Sequence, residues 1–168
     1  QLYQNNTDGT FTNITAQSGL VVDCDTCFVT SGLWLDYDID GLLDLFITDY
    51  HSNSNNKLYK NLGNGSFETV DLSNVNSTTN SFSSIIIYAN DDNYPDIYVA
   101  NDHDQHNMLL INQQGNGFID ETQTYNLLDP HDGMGLATSD YDNNNDFEIL
   151  VTNIKENSFY VDEFMNNQ

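Results

Sequence analysis

The sequence predicts an all-β fold of propeller-like blades, each made of four antiparallel strands, and three observations support this prediction. Short runs rich in β-branched and aromatic residues recur along the chain without a helical period. An acidic residue recurs at a spacing of 52 residues, as Asp44, Asp96 and Glu148. Asn-Gly pairs between the runs are typical of hairpin turns. Because repeats of about fifty residues with four strands each indicate propeller blades, we expect about three blades per chain, with incomplete terminal blades.

The parts of each repeat follow one another in a fixed order. A strand-like run follows each acidic loop, a second run of the type Leu-Tyr-x-Asn comes next, and a Gly-rich turn then leads to an aromatic residue. The first run occupies residues 45–48, 97–100 and 149–152, the second 57–61, 107–112 and 157–161, and the turn 63–67 and 115–118. Copies of the second run and of the turn also occur at residues 1–5 and 8–11. We therefore predict one repeat domain over residues 1–168, with a half blade (1–18), two blades (31–73 and 81–122) and a partial blade (134–168).

The charge of the chain excludes several classes of partner. The 26 acidic residues against 3 basic ones give a net charge of −23, which is the wrong sign for nucleic acid and for anionic membrane surfaces. No run of about eighteen apolar residues occurs, so we do not expect membrane insertion. A halophilic protein is an alternative explanation of the charge. The carboxylates are clustered at set spacings, however, and clustering favours bound metal ions.

The first acidic loop, residues 36–44, has the spacing of a calcium site. Aspartates at alternate positions followed by a glycine are how a short loop supplies many of the oxygen ligands that Ca²⁺ requires. Four carboxylates this close would repel one another without a cation, which weighs against the alternative of a solvated acidic turn. Ile47 stands where a helical EF-hand has its last glutamate, so we predict a strand–loop–strand site. The candidate ligands are Asp36, Asp38, Asp40, Leu42 and Asp44.

Two degraded copies of this loop follow along the chain. The third loop, residues 140–148, keeps oxygen side chains at the ligand positions but has asparagine in place of glycine. The second loop, residues 88–96, begins with a tyrosine and has lost a ligand. Ranking by carboxylate count predicts that calcium affinity falls in the order first, third, second. The further candidate ligands are Asn90, Asp92, Asp96, Asp140, Asp142, Asn144, Asp146 and Glu148.

Two patterns indicate secretion. Four N-x-[ST] sequons are candidate glycosylation sites, although an Asn-rich chain contains some by chance. The two cysteines, Cys24 and Cys27, lie in one short segment. A redox-active pair and half of a zinc site are the alternatives there, but no second pair or nearby histidine completes a metal site, so a local disulfide is favoured. The sequons are at Asn5, Asn13, Asn64 and Asn76.

The sequence predicts no catalytic residue. Segment 102–106 carries two histidines and two aspartates, but a polar turn is favoured there over a catalytic or transition-metal cluster. Neither G-x-S-x-G nor H-E-x-x-H occurs, and no spacing points to a carboxylate pair for glycoside hydrolysis. Trp34 is expected in core or inter-blade packing. The four histidines, all assigned to loops, are His51, His103, His106 and His131.

These motifs resemble those of the FG-GAP/VCBS repeat family. The order Leu-Tyr-x-Asn, Gly-x-Phe and then Asp-x-Asp-x-Asp-Gly-x-x-Asp-Leu is similar to the repeats found with ASPIC/UnbV-type proteins, as is segment 133–142. Similar repeats build the propeller of integrin α-subunits, where such loops bind Ca²⁺. The resemblance implies a calcium-bearing β-propeller in an extracellular protein. It implies no reaction, because such propellers serve adhesion, carbohydrate binding and, in a few cases, enzymes.

Two functions remain open from the sequence. The first is a non-enzymatic extracellular or cell-surface module for structure or adhesion, with Ca²⁺ as cofactor and glycans or extracellular matrix as candidate partners. The second is a fragment of a propeller-type carbohydrate-active enzyme, or a carbohydrate-binding module. Because about three blades are too few to close a propeller, either the chain is part of something longer or copies of it complete one another. Our hypothesis is self-assembly into a ring or filament. In that assembly the hairpin at residues 2–13 of one copy completes the last blade of the next.

Overall fold

The computed structural model describes residues 1–20, 27–51, 55–75, 80–90, 92–103, 105–128, 132–144, 147–154 and 156–160. Within these ranges the regular secondary structure consists of β-strands, and every strand pair is antiparallel. The strands are β1 (Tyr3–Asn5), β2 (Phe11–Asn13), β3 (Val29–Leu35), β4 (Asp44–Asp49), β5 (Lys57–Asn61), β6 (Phe67–Val70), β7 (Ser81–Ile87), β8 (Asp96–Asn101), β9 (Met108–Asn112), β10 (Phe118–Asp120), β11 (Gly133–Ser139), β12 (Glu148–Asn153) and β13 (Ser158–Tyr160).

Two complete four-stranded sheets form the middle of the chain. Their strand orders are β3-β4-β5-β6 and β7-β8-β9-β10, so each strand pairs with the next one in the sequence. Strands β11-β12-β13 form a three-stranded sheet and β1-β2 a two-stranded sheet. The prediction of four-stranded blades, with incomplete blades at both ends of the series, is confirmed.

The first strands of consecutive blades lie side by side. Strand β3 contacts β7, and β7 contacts β11. The Thr30 hydroxyl donates to the Ser81 carbonyl over 2.8 Å, and the Ser83 hydroxyl donates to the Met134 carbonyl over 2.9 Å. Each of these three strands also has a register shift between its first and third residues. Such bulges bend a strand and increase its twist, so the same bend recurs in every blade.

The hydrophobic core lies between the blades. Because side chains alternate between the two faces of a strand, each blade presents one apolar face to the blade before it and another to the blade after it. Phe46 on β4 packs in one cluster with Ile97 on β8. One repeat later, Tyr98 on β8 packs in a second cluster with Ile149 on β12. Residues 52 positions apart therefore occupy equivalent places on consecutive blades, and their side chains face the same way along the series.

The two outermost faces of this series, called the open faces below, have no complete blade packed on them among the described residues, although Leu45 on the first of them is only 8% exposed. Leu45 is the repeat equivalent of Ile97, and its face borders a groove with a volume of about 680 Å³. Trp34 also lines this groove, is 42% exposed and has its ring centre 6.1 Å from that of Phe67; it is not buried in a core, and its stacking between blades stays a prediction. At the other end Leu150, the equivalent of the fully buried Tyr98, is 37% exposed. Each open face thus has the side chains that elsewhere pack against a neighbouring blade.

Candidate metal centres

The first loop brings three carboxylates together. One oxygen each of Asp36, Asp38 and Asp40 lies within 4.8 Å of the others. The loop adopts this shape because Asp36 accepts hydrogen bonds from the backbone N–H groups of Asp40 (3.0 Å) and Gly41 (2.9 Å). Left-handed backbone at Ile39 (φ 57°) and Gly41 (φ 88°) turns the chain around these oxygens. Three of the five candidate ligands of this loop therefore converge.

The remaining two candidates of the first loop are placed differently. Asp44 is fully buried, and its two oxygens accept from the N–H groups of Tyr37 (3.1 Å) and Asn61 (2.7 Å). Asp44 thereby ties the loop to β5 and lies outside the group of three carboxylates. Burial raises the pKa of Asp44 despite these two donors. Leu42 donates its N–H to Asp40 over 2.9 Å.

Lys60 on β5 places its ammonium group within the first loop. Its Nζ contacts Oδ2 of Asp38 and lies 3.1 Å from Oδ2 of Asp40. Hydrogen bonds to the Asp38 and Asp40 carboxylates raise the pKa of Lys60. The other oxygen of Asp38, Oδ1, is buried and has no hydrogen-bond partner among the described residues. Sequence spacing did not reveal this ion pair, since Lys60 belongs to a different strand.

The third loop also contains an unpaired buried oxygen. Asp140 and Asp142 both accept from the N–H of Asn144, over 3.0 and 3.2 Å. Glu148 is 2% exposed; its Oε2 accepts from the N–H of Tyr141 over 3.0 Å. Its Oε1 is buried without a partner in the described part of the chain. Asp146, predicted as a further ligand, lies outside the described residues.

The second loop uses its side-chain oxygens to hold its own backbone. Asn90 accepts from the N–H of Asp92 (3.2 Å), and Asp92 accepts from that of Tyr94 (3.0 Å). Asp96 is fully buried and, like Asp44, binds two backbone N–H groups, each over 2.8 Å. Burial raises the pKa of Asp96 to about 6. Among the described residues, this loop does not group three acidic side chains.

The first loop lies at the seam between two blades. Asn112, at the end of β9, donates from its side-chain nitrogen to the Tyr37 carbonyl over 2.8 Å. Gly115, in the next turn, approaches so closely that a Cβ added there would lie 2.9 Å from Cβ of Asp38. Because the following blade contacts the loop backbone, an ion held by this loop would stiffen the contact between blades as well as the loop itself.

The predicted modification sites are only partly described. Cys27 is disulfide-bonded, while Cys24 lies outside the described residues, so their pairing stays a prediction. Asn5, Asn13 and Asn64 are all exposed. Their side-chain oxygens accept from the N–H two residues further on, over 2.8, 3.0 and 3.0 Å. Asn76 lies outside the described residues.

A cluster at the other end of the blades was not predicted. The Tyr50 hydroxyl donates to Asp102 over 2.5 Å and lies 3.0 Å from Nε2 of His103. The Asp102 acceptor raises the pKa of Tyr50 to about 12. Together with Phe28, Tyr50 and His103 border a pocket of about 340 Å³. The repeat could have predicted that these residues lie close together. Tyr50 and Asp102 are 52 residues apart and therefore lie in equivalent positions of adjacent blades. His131 lies outside the described residues.

Comparison with known families agrees with the repeat geometry. A family model described as FG-GAP-like repeat matches the chain twice, at residues 36–99 and 88–151. Comparison with curated proteins gives no significant match. In the part of the chain that the structure describes, no helix has the length and apolar character needed to cross a bilayer. Because the two matches together span all three acidic loops and more than half of the chain, this protein belongs to the FG-GAP-like repeat family.

Proposed function

We propose that this chain is an extracellular structural or adhesion module that binds Ca²⁺ in its acidic loops and assembles with further copies of itself. The observation that carries the calcium proposal is a pair of buried carboxylate oxygens without a partner, Asp38 Oδ1 and Glu148 Oε1. They belong to two different loops related by the repeat. A buried polar atom without a partner costs on the order of 1–3 kcal/mol, and more if it is charged, so a cation supplied by the solvent accounts for both.

The donor sets of these loops suit calcium. Ca²⁺ takes hard oxygen ligands in flexible geometry, and the loops offer carboxylate and amide oxygens and no nitrogen or sulfur donor. When bound, the ion supplies charge neutralisation and rigidity. We propose the second loop as the weakest site, because Tyr88 stands at its first ligand position and supplies no carboxylate there. The proposed ligands are Asp36, Asp38, Asp40, Leu42 and Asp44 in the first loop, Asn90, Asp92 and Asp96 in the second, and Asp140, Asp142, Asn144, Asp146 and Glu148 in the third.

Three features support an extracellular location. Cys27 is disulfide-bonded, and disulfides persist mainly in oxidising compartments. The side chains of three sequon asparagines are exposed, so they are accessible for glycosylation. Millimolar calcium, which outside cells saturates even weak loop sites, would offset part of the self-repulsion of a chain with a net charge of −23.

The open faces support self-assembly. The groove beside Trp34 and Leu45 is also lined by Gln1, Leu2, Thr15 and Ala16 next to the hairpin β1-β2, so the chain itself supplies only part of the blade that would pack there. Leu150 lies where a following blade would pack. The hairpin β1-β2 forms a sheet of its own, with Tyr3 and Phe11 both more than half exposed. Strand β13 is the outer strand of the three-stranded sheet within the described residues. We propose that one strand of the hairpin of one copy adds to this edge in the next copy and completes a four-stranded blade there.

Thermal unfolding in calcium and in chelator tests the calcium proposal. We expect a lower melting temperature in chelator, because a ligand that binds only the folded state adds RT ln(1 + [L]/Kd) to stability, about 2.7 kcal/mol at a hundredfold excess over Kd. Asp38→Ala and Asp40→Ala should lose much of the calcium-dependent increase, and Asn90→Ala should lose less. Glu68→Gln, on an exposed residue of β6, is the control for charge removal alone. Identical melting curves of the wild-type protein in calcium and in chelator would refute the proposal.

A further inference from the structure

We infer that Lys60 is an internal counter-cation of the first loop, which Ca²⁺ must displace in order to bind there. This inference rests on the proposed function, because it concerns how the same loop takes up calcium. Lys60 is one of three basic residues in the chain. Its Nζ lies among oxygens of the carboxylate group, in contact with Asp38 and 3.1 Å from Asp40.

The position of Lys60 is imposed by the backbone of β5. The neighbouring Asn61 donates its N–H to Asp44 over 2.7 Å and its side-chain N–H to the Leu43 carbonyl over 2.9 Å. These two bonds fix the strand against the C-terminal end of the loop. The side chain then extends along the Tyr37 ring, with Nζ 6.0 Å from the ring centre. The backbone of Lys60 is therefore held in place next to the loop, and its side chain lies within reach of the carboxylates.

The ammonium group satisfies the loop incompletely. It binds one oxygen of Asp38 and one of Asp40, and leaves Asp38 Oδ1 buried and unpaired. A single positive charge also leaves most of the charge of three carboxylates uncompensated. A divalent cation with more coordination positions is therefore favoured over the ammonium group. Ca²⁺ and the Lys60 ammonium would repel each other if both lay among the same carboxylates. The Lys60 side chain, which is 28% exposed, can swing into solvent when calcium enters.

The sequence has no lysine at the equivalent position of either of the other two repeats. The residue equivalent to Lys60 in the second blade is Ile111, which is 5% exposed and packs in an apolar cluster. In the third repeat the equivalent sequence position is Val161, which lies outside the described residues. The first loop therefore binds calcium more weakly than its carboxylate count predicts. It becomes the exchangeable site, and the third loop becomes the tighter one.

Calcium titration of charge-matched variants tests this inference. We compare wild type, Lys60→Gln and Lys57→Gln by isothermal titration calorimetry, since Lys57 lies on the same strand and both substitutions remove one positive charge. Lys60→Gln should raise the affinity of one site about tenfold relative to Lys57→Gln, consistent with the energies of partly exposed ion pairs. In chelator the same variant should melt at a lower temperature than Lys57→Gln, because the loop loses its only counter-charge among the described residues. Lys60→Arg, which keeps the charge, should bind calcium as the wild type does.

Lysine side-chain NMR tests the same inference without any substitution. Three lysines give three Cε–Hε signals, and calcium should shift the Lys60 signal toward that of a solvent-exposed lysine while the Lys57 signal stays in place. If the wild-type protein binds no calcium, the proposed function fails. If it binds calcium but Lys60→Gln binds no more tightly than Lys57→Gln, and the Lys60 signal does not move, the role of Lys60 alone is refuted.

Discussion

Ile39, in the middle of the first loop, holds a left-handed backbone conformation with φ of 57°. This conformation costs about 1–2 kcal/mol for most L-residues, and a β-branched side chain is among the least suited to it. The third loop has Asn143 at the equivalent position, with φ of 62°, and asparagine tolerates this region. Ile39 is 52% exposed, so its replacement gives up little buried apolar surface.

Ile39→Asn should therefore stabilise the protein by about 1 kcal/mol. Urea unfolding in calcium-containing buffer measures the change, with the slope of the transition expected to stay constant. Ile39→Val is the matched control, since it removes a methylene and keeps the branched Cβ. A gain equal in the two variants, or no gain in Ile39→Asn, would show that the backbone at this position is not strained.

Sequence spacing predicted the residues that converge but not all of their partners. Alternation alone places Asp36, Asp38 and Asp40 on one side of a tight loop, and the structure brings them together. Asp44, the ninth residue of the loop, was predicted to join the same metal site. Its two oxygens instead accept hydrogen bonds from two backbone N–H groups, and it lies outside the group of three carboxylates. One of these donors, the Asn61 N–H, and the Lys60 ammonium belong to β5, whose register against β4 is not encoded within the loop.

At the level of the elements, Asn112 connects two blades and a hairpin turn. Its backbone N–H donates to Asp96, and its side-chain nitrogen donates to the carbonyls of Pro95 and Tyr37. Its side-chain oxygen accepts from the N–H of Gly115 over 2.8 Å. Asn112 is 1% exposed, so its side chain holds together the second loop, the β9–β10 turn and the loop of the preceding blade.

Asn112→Ala should consequently lower the free energy of unfolding by about 3 kcal/mol, because it leaves several buried groups without partners. Asn61→Ala is the matched control, since Asn61 has the same place in the first blade but is partly exposed and bonds one carbonyl. That variant should lose about 1 kcal/mol. Chemical denaturation of both variants, in calcium, measures the difference. Equal losses would mean that the bond across the blades adds nothing.

Runs of β-branched and aromatic residues predicted the strands of the two central blades, and the structure has strands at these positions. The recurring register shifts in β3, β7 and β11 were not predicted. A bulge depends on how a strand pairs with its neighbour and with the adjacent blade, and such pairing leaves little trace in local composition. The hydrogen bond from the Thr30 hydroxyl to the next blade arises at one of these bulges.

For the whole molecule, the repeat identifies the surfaces whose equivalents in the other blades are covered by a neighbouring blade. Phe46 and Tyr98 are fully buried because a further blade covers each of them, whereas Leu150 in the equivalent position is 37% exposed. At the opposite end, Trp34 is 42% exposed beside a groove of about 680 Å³. We propose that these two faces meet between copies in the way that the faces of consecutive blades meet within the chain. A contact between them is therefore head-to-tail, and such contacts close into rings or continue as filaments.

We expect the purified chain to form concentration-dependent oligomers in calcium, as measured by multi-angle light scattering after size-exclusion chromatography. Trp34→Glu should reduce association, because it places a carboxylate in the groove that the neighbouring blade would fill, and burying an unpaired charge is costly. Leu128→Glu is the control, since Leu128 is 48% exposed, does not line the groove and adds the same charge. A wild-type chain that stays monomeric at every concentration in calcium, or equal association of the two variants, would exclude the groove as the contact between copies.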